Sequence, residues 1–361
     1  MQRVIESAAA RVAELSPPGE DEPPMAPLIA VLRGEGLLQS CAPSDAGGQG
    51  LAHHPDEPHV LLEALAAVGG ANLSVGRLFE GHVNAVKLVA LLATGPARRR
   101  WLTDAANGRL FGVWGADGPV PVTLEGERLR GQKLYASGAD LLDRAVVTAR
   151  DPAGEVVLIV LPAERLQGRL HPGEWSMTGM QATASGRCDL EGVEVNACDR
   201  LGAPGDYLRE PHFQGGVWRY AAVQLGAMRT ILGAAVDQLR RRGHEAAPLQ
   251  VARLRRMTVA CETARLWLTS AAREVEQPGA PPSAAAASIL ARLVVADEAT
   301  ALLAAADAAL GAASFSTSHP VERVRRDLLV YLRQANPDAL ESAAMATLLG
   351  DDCLARRWRL A

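Results

Sequence analysis

The 361-residue chain is short of aromatic side chains: four Phe, four Tyr and six Trp make up 4% of it. Alanine is abundant instead, which favours close-packed helices over one large sheet. Cysteine is also sparse. Cys41, Cys188, Cys198, Cys261 and Cys353 are scattered, odd in number and without a CxxC pair, which excludes a disulfide framework and a thiolate zinc site and leaves buried or inert thiols. No apolar run approaches the roughly 20 nearly uncharged residues that a spanning helix needs; Lys87 interrupts 83–92, and Asp297, Glu298 and Asp307 interrupt 293–313. The first fifteen residues place Arg3, Glu6, Arg11 and Glu14 at helical spacings. They read as an amphipathic helix without the uncharged centre of a signal peptide, so a cytoplasmic location is expected. Neither sign of charge dominates, with 37 Lys and Arg against 41 Asp and Glu and a net charge of −4. That balance excludes nucleic-acid or membrane-surface binding driven by the overall field.

What is present is a 48% hydrophobic content, enough for a sizeable core, over a length that suggests two or three structural units at about 150 residues each. From 1 to 110 the apolar spacing is helical, with buried helices expected at 60–68 (VLLEALAAV) and 83–92 (VNAVKLVALL). From 111 to 205 the texture is that of strands. Glu125-Gly126-Glu127 and Asp151-Pro152-Ala153-Gly154 each separate two short runs of strand-forming residues, a hairpin signal. Val156–Leu161 lacks any polar residue and reads as a strand covered on both faces, and Arg187–Val195 reads as a further strand. From 206 to 361 helices return, at about 215–242, 248–275, 285–312 and 320–333, with a linker at Gln277–Ser283. There is no internal repeat. The class is therefore α+β, with a β unit between two helical ones. Near the last of these helices, Arg323, Arg325 and Arg326 form a cluster suited to anionic groups, or else a solvated basic face.

Five stretches, in this order and spacing, give the chain a resemblance to the acyl-CoA dehydrogenase superfamily. AALGAASFSTSHPVERVRRDLLVY (308–331) is similar to the family's late glycine turn, Pro-Val-Glu-Arg helix start and Arg-Asp pair; GMQATASGRCDLEGVEV (179–195) resembles its strand signature, and CETARLW (261–267) its Glu-x-Ala-Arg-Leu helix. GEGLLQSCAPSDAGGQGL (34–51) and RLGAPGDYL (200–208) add to the likeness. The resemblance implies an N-terminal helical domain (1–110), a middle β-barrel-like domain (111–205) and a C-terminal four-helix bundle (206–361). It also implies FAD, a small-molecule substrate, a reductase or electron-transfer partner, and a homodimer or homotetramer in which subunits share the cofactor site. Carried over by motif, Tyr135 and Ser137 of KLYASGAD (133–140) and Thr183 would meet the flavin ring. Arg242 would reach the pyrophosphate across the subunit interface, and Gly311 would let the backbone approach the dinucleotide. Trp114 stands where the family has a threonine against the ring, and Ala312 where it has a second glycine.

One departure concerns the chemistry itself. Family dehydrogenation needs a carboxylate base at hydrogen-bond reach of the substrate; aligned through Arg326-Asp327 and Tyr331, that position holds Ala335, and the alternative position before Arg219 holds Trp218. Asp338 and Glu341 lie three and six residues past that position, Glu80 is a carboxylate in the N-terminal half that could substitute, and the ordinary pKa of a histidine such as His82 lies near neutrality. The catalytic residue is left unassigned, with His82 and Asp338 as candidates, each of which also reads as a structural histidine or a surface carboxylate. The expected activity is an FAD-dependent oxidoreductase moving two electrons between a small organic molecule, an acyl thioester being one option, and flavin N5. Two alternatives stand beside it: a monooxygenase using reduced flavin and O2, to which Ser137-Gly138-Ala139 and Thr183-Ala184-Ser185-Gly186 are similar, and an inactive scaffold or acyl-binding homologue.

Overall fold

The computed structural model describes residues 1–17, 19, 23–52, 57–334 and 336–360. Among the described residues, the chain opens with the helices α1 (Gln2–Leu15), α2 (Met25–Gly34), α3 (Leu37–Ser40), α4 (Pro58–Ala71), α5 (Leu73–Leu92) and α6 (Gly95–Ala106). In α1 the spacing of Ile5, Ala8 and Val12 buries one face, as its pattern predicts. α5 begins where the Asn72 side chain accepts a hydrogen bond from the Val75 amide, an N-cap that satisfies a donor the helix cannot. It is buried along almost its whole length, so its polar residues have to find partners inside the protein.

Among the described residues nine short strands follow: β1 (Phe111–Trp114), β2 (Thr123–Glu125), β3 (Arg128–Arg130), β4 (Gln132–Lys133), β5 (Arg144–Arg150), β6 (Val156–Pro162), β7 (Leu170–His171), β8 (Arg187–Asp189) and β9 (Arg200–Leu201). They form two sheets. In the larger, β5 pairs parallel with β1 and β2 and antiparallel with β6, in the register Val147 opposite Ile159, and β9 follows β6. In the smaller, β8 lies between β4 and β7. Both hairpins form where Glu125-Gly126-Glu127 and Asp151–Gly154 predict them, and Val157 to Leu161 of β6 are all buried. The expected strand over Arg187–Val195 is shorter than its composition suggests: it ends at Asp189, whose carboxylate accepts the Glu191 amide and turns the chain.

The C-terminal body consists of α7 (Trp218–Arg241), α8 (Pro248–Glu276), α9 (Ala284–Leu310) and α10 (Pro320–Tyr331), followed by α11 (Pro337–Gly350) and α12 (Asp352–Arg357). Pro281 and Pro282 separate α8 from α9, within the predicted linker. The five cysteines, all among the described residues, are free thiols, and Cys41, Cys188 and Cys261 are buried. Burial pushes the Cys188 thiol up to about 12 and the Cys261 thiol to about 11, which keeps both protonated and unreactive. Among the described residues no helix is long and apolar enough to cross a membrane.

Candidate functional site

A cavity of about 880 Å³ opens where α5, the loops after β1 and β4, the segment 175–185, the start of α7 and the end of α10 converge. Its walls are largely apolar, with Leu88, Leu91, Val113, Met180, Phe213 and Val217 among them. Polar groups enter it at two places.

The first is the wall that carries the sequence-predicted ring contacts. Tyr135 is held at a φ of +54°, a left-handed conformation that costs a bulky residue free energy. The result is an aromatic ring 56% exposed at the cavity edge, edge-on to Trp175 at 6.0 Å. Trp175 is itself fixed by its indole N–H donating to the Met180 carbonyl. Behind Tyr135, Thr183 donates to the Met180 carbonyl at 2.7 Å and lies 2.7 Å from the Ser185 hydroxyl, which donates to Ser137 at 2.8 Å. Ser137 has only a 3.5 Å contact with the Tyr135 carbonyl as an outlet for its own proton, so its O–H is the donor in this chain left for a ring heteroatom. Trp114 does not face the cavity. It is buried, and its indole N–H donates to the Ser137 carbonyl, which holds the loop from beneath.

The wall is clamped by α10. The Asp327 carboxylate accepts the Met180 amide at 2.6 Å, and the Arg326 guanidinium donates to the Thr178 carbonyl. Gly179 lies so close to α10 that a Cβ there would sit 2.3 Å from the Arg326 carbonyl oxygen. The Arg-Asp pair in the sequence thus fixes the segment that carries Thr183.

The second polar place is the inner end. α5 presents Arg77, Glu80, Asn84 and Lys87 in a 3-4-3 spacing, one stripe on one face. Arg77 and Asn84 both donate to the Glu80 carboxylate, and Arg219 of α7 donates to the Asn84 carbonyl. Arg219 and Lys87 then share the Glu276 carboxylate at the end of α8, which also accepts the Trp218 indole N–H. Burial alone would raise the Glu276 carboxyl, but the two cations outweigh it and bring it down to about 2; burial, with Arg219 nearby, brings Lys87 down to about 8. Tyr220 and Tyr331 complete this end, with rings 6.3 Å apart. Arg292 of α9 donates to the Tyr220 hydroxyl and to the Leu332 and Gln334 carbonyls, which fixes the turn after α10. The sequence reading named Glu80 but not this network. The 3-4-3 run of polar residues within an otherwise apolar helix is the signal that marks it.

Tyr135, Ser137 and Thr183 therefore come together on one cavity. The other candidates lie elsewhere. His82 is fully buried, away from the cavity lining. Its Nδ1 accepts the Phe111 amide, its Nε2 donates to the Leu38 carbonyl, and burial lowers it to about 4. It is a neutral structural tie between α3, α5 and β1, not a group placed for proton transfer. Asp338 is exposed in the first turn of α11, as is Glu341 further along, and neither lines the cavity. Ala335 lies outside the described residues. Arg242 stands exposed at the end of α7 beside Gln238 and His319, and Gly311 is exposed after α9. Neither reaches this cavity within one chain. A Cβ at Gly311 would have open space around it, so its φ of +73° is what asks for glycine. The basic cluster is engaged internally: Arg323 donates to Ser16, Arg325 to Ser314 with an ion pair to Asp307, and Arg326 to Thr178 and Glu322. These arginines cap and clamp; they do not present a free anion site.

Residues 210–332 match the family model for the acyl-CoA dehydrogenase C-terminal domain. A dibenzothiophene monooxygenase of Rhodococcus qingshengii is 30% identical over 194 residues, covering 49% of this chain and 45% of that protein, so the chain spans less than half the length of this curated relative. Among solved structures, the dibenzothiophene monooxygenase of Paenibacillus sp. A11-2 in complex with FMN and indole has a TM-score of 0.79 at 20% identity, covering 97% of this chain and 96% of that one. Butyryl-CoA dehydrogenase of Megasphaera elsdenii has a TM-score of 0.81 at 18% identity, covering 96% and 98%. At these identities the structural likeness is one of fold.

Proposed function

We propose that the chain, which has the acyl-CoA dehydrogenase fold and matches that family's C-terminal-domain model over residues 210–332, is an FAD-dependent oxidoreductase acting on a small, largely apolar organic substrate. The observation that carries this reading is the Tyr135, Ser137 and Thr183 wall facing an apolar cavity. A flat ring needs an aromatic or apolar face beside it and a donor at its heteroatom edge, and Tyr135 with Trp175 supplies the one and Ser137 the other. When bound, the flavin supplies two-electron transfer at N5 and, once reduced, reactivity toward O2. This chain's part is to orient and to exclude water. The strained Tyr135 backbone fixes the wall, the Thr183–Ser185–Ser137 hydroxyls point one donor outward, and the apolar lining keeps the substrate dry. Arg242 and Gly311 would serve the dinucleotide of a neighbouring subunit in a homodimer or homotetramer.

Within this class the lining favours the oxygen-using form over acyl dehydrogenation. Glu80 is the carboxylate among the described lining residues, and Arg77 and Asn84 already donate to its two oxygens. A base so engaged is poorly placed to take an α-proton, whereas a reductase-fed oxygenase needs no such base. The test is spectroscopic. The purified protein should show flavin absorbance, or gain it on incubation with FAD, and heat release followed by chromatography should identify the dinucleotide. Under anaerobic mixing, bleaching only by reduced nicotinamide or a reductase supports the oxygenase, while bleaching by an acyl-CoA alone supports dehydrogenation. A protein that stays colourless in excess FAD and FMN overturns the flavin reading.

A further inference from the structure

A second cleft, of about 450 Å³, opens on the β unit and shares no lining residue with the cavity. Arg128 at the start of β3, Arg165 after β6 and Arg169 before β7 line it, together with the turn that follows β8. Their guanidinium groups converge on that turn. Arg169 donates to the Glu191 carbonyl at 2.7 Å, Arg128 to the Gly192 carbonyl at 3.0 Å and Arg165 to the Glu194 carbonyl at 3.2 Å. Four successive residues span no more than about 11 Å, so the three cations are gathered at one edge of the cleft. Their charge is only partly offset. Arg128 pairs with Glu194, both side chains being more than half exposed, and such a pair is worth little. Arg165 shares the inaccessible Asp199 carboxylate with Arg100, and Arg169 has no carboxylate partner among the described residues. Four cations thus stand against two carboxylates.

We infer that this cleft is a binding site for a phosphate or pyrophosphate group, held by Arg128, Arg165 and Arg169 together. The donors for it are at hand. A guanidinium carries five N–H groups; Arg165 and Arg169 each engage Nη1 alone, and the Nε–H of all three has no acceptor among the described residues. The frame is also fixed in advance. Arg165 Nη1 is held between the Glu194 carbonyl and Asp199, and Asp199 in turn accepts the Asn196 amide, so little ordering remains to oppose binding. Three planar forks suit a group with at least three acceptor oxygens and two negative charges; a carboxylate offers two oxygens and one charge and meets one fork. Glu194 stands in the same cleft and competes for Arg128, so removing its charge should strengthen the site. The inference does not rest on the flavin reading.

The experiment is calorimetric titration of the full-length protein as purified, at constant ionic strength, with inorganic phosphate, pyrophosphate, ADP and acetate as probes. Pyrophosphate should bind at least about tenfold more tightly than acetate, with phosphate between them. ADP tighter than pyrophosphate supports the site with a nucleotide as the source of the group, and ADP weaker supports it with a free polyphosphate. Arg169→Gln removes a side chain whose one bond among the described residues is to a carbonyl of the turn. It should melt with wild type and weaken pyrophosphate by about tenfold to a hundredfold, the ordinary effect of removing a hydrogen bond to a charged group. Arg169→Lys keeps the charge without the fork and should recover part of that loss. Glu194→Gln should tighten pyrophosphate, a gain that no general loss of folding produces. Equal affinity for acetate and pyrophosphate, or full pyrophosphate affinity in Arg169→Gln, overturns the proposal. Loss of bound flavin in Arg169→Gln also overturns it, by making the cleft part of the cofactor site. A wild-type protein that stays colourless in excess FAD and FMN yet binds pyrophosphate overturns the flavin reading alone.

Discussion

His82 shows how a residue type that suggests chemistry in the sequence is put to another use by its surroundings. Its two ring nitrogens hold one backbone acceptor and one backbone donor, so the neutral tautomer is required and protonation would break the bond to Phe111. Asp143 and Arg33 are the charges nearest it, opposed in effect, and burial dominates. With a folded value near 4 against 6.5 for the free side chain, the unfolded chain binds more protons between those pH values. Stability is therefore complete above about pH 6.5 and falls by about 3 kcal/mol as pH drops toward 4. Urea unfolding midpoints across pH 4–7 should show this slope, and His82→Gln, which can still donate and accept, should flatten it. An unchanged slope in the variant would assign the acid sensitivity elsewhere.

At the scale of elements, what matters is how α10 is fastened to the segment that carries Thr183. Asp327 and Arg326 reach Met180 and Thr178, and Gly179 leaves room for the helix backbone. Gly179→Ala would force the two elements apart, since a Cβ would stand 2.3 Å from a carbonyl oxygen. The expected cost is about 2–4 kcal/mol of stability, with weakened flavin retention measured by absorbance after gel filtration. Asp327→Asn keeps the shape but loses the charge-assisted bond, and should cost about 1–2 kcal/mol. If both variants hold flavin as tightly as wild type, the clamp does not serve the cofactor wall.

Across the whole molecule, Glu276 joins the N-terminal helices to the bundle. It sits at the end of α8 and holds Lys87 from α5 and Arg219 from α7, all three nearly inaccessible. Glu276→Gln would leave two buried cations facing a neutral amide, and should cost on the order of 3–5 kcal/mol, read as a drop in the melting temperature. Replacing the three together by apolar residues of similar volume should cost far less, because the stability loss comes from uncompensated charge. A Glu276→Gln protein that melts with wild type would mean that water reaches this cluster.

Local pattern alone determined much of this protein. The apolar periodicities, the two hairpin turns, the prolines of the 277–283 linker and the ordered family-like stretches fixed the helix–sheet–helix layout, since each depends on near neighbours in the chain. Sequence also placed Tyr135, Ser137 and Thr183 among the candidates, although 48 residues of sequence separate the first from the last. Tertiary structure decided the rest. It buried His82, engaged Arg323, Arg325 and Arg326 within the chain, left Asp338 in solvent, and gathered Arg77, Glu80, Lys87, Arg219 and Glu276 into one network. A side chain's chemistry depends on which charges and which dielectric surround it, and those arrive from elements far apart in sequence, through packing that no local pattern encodes.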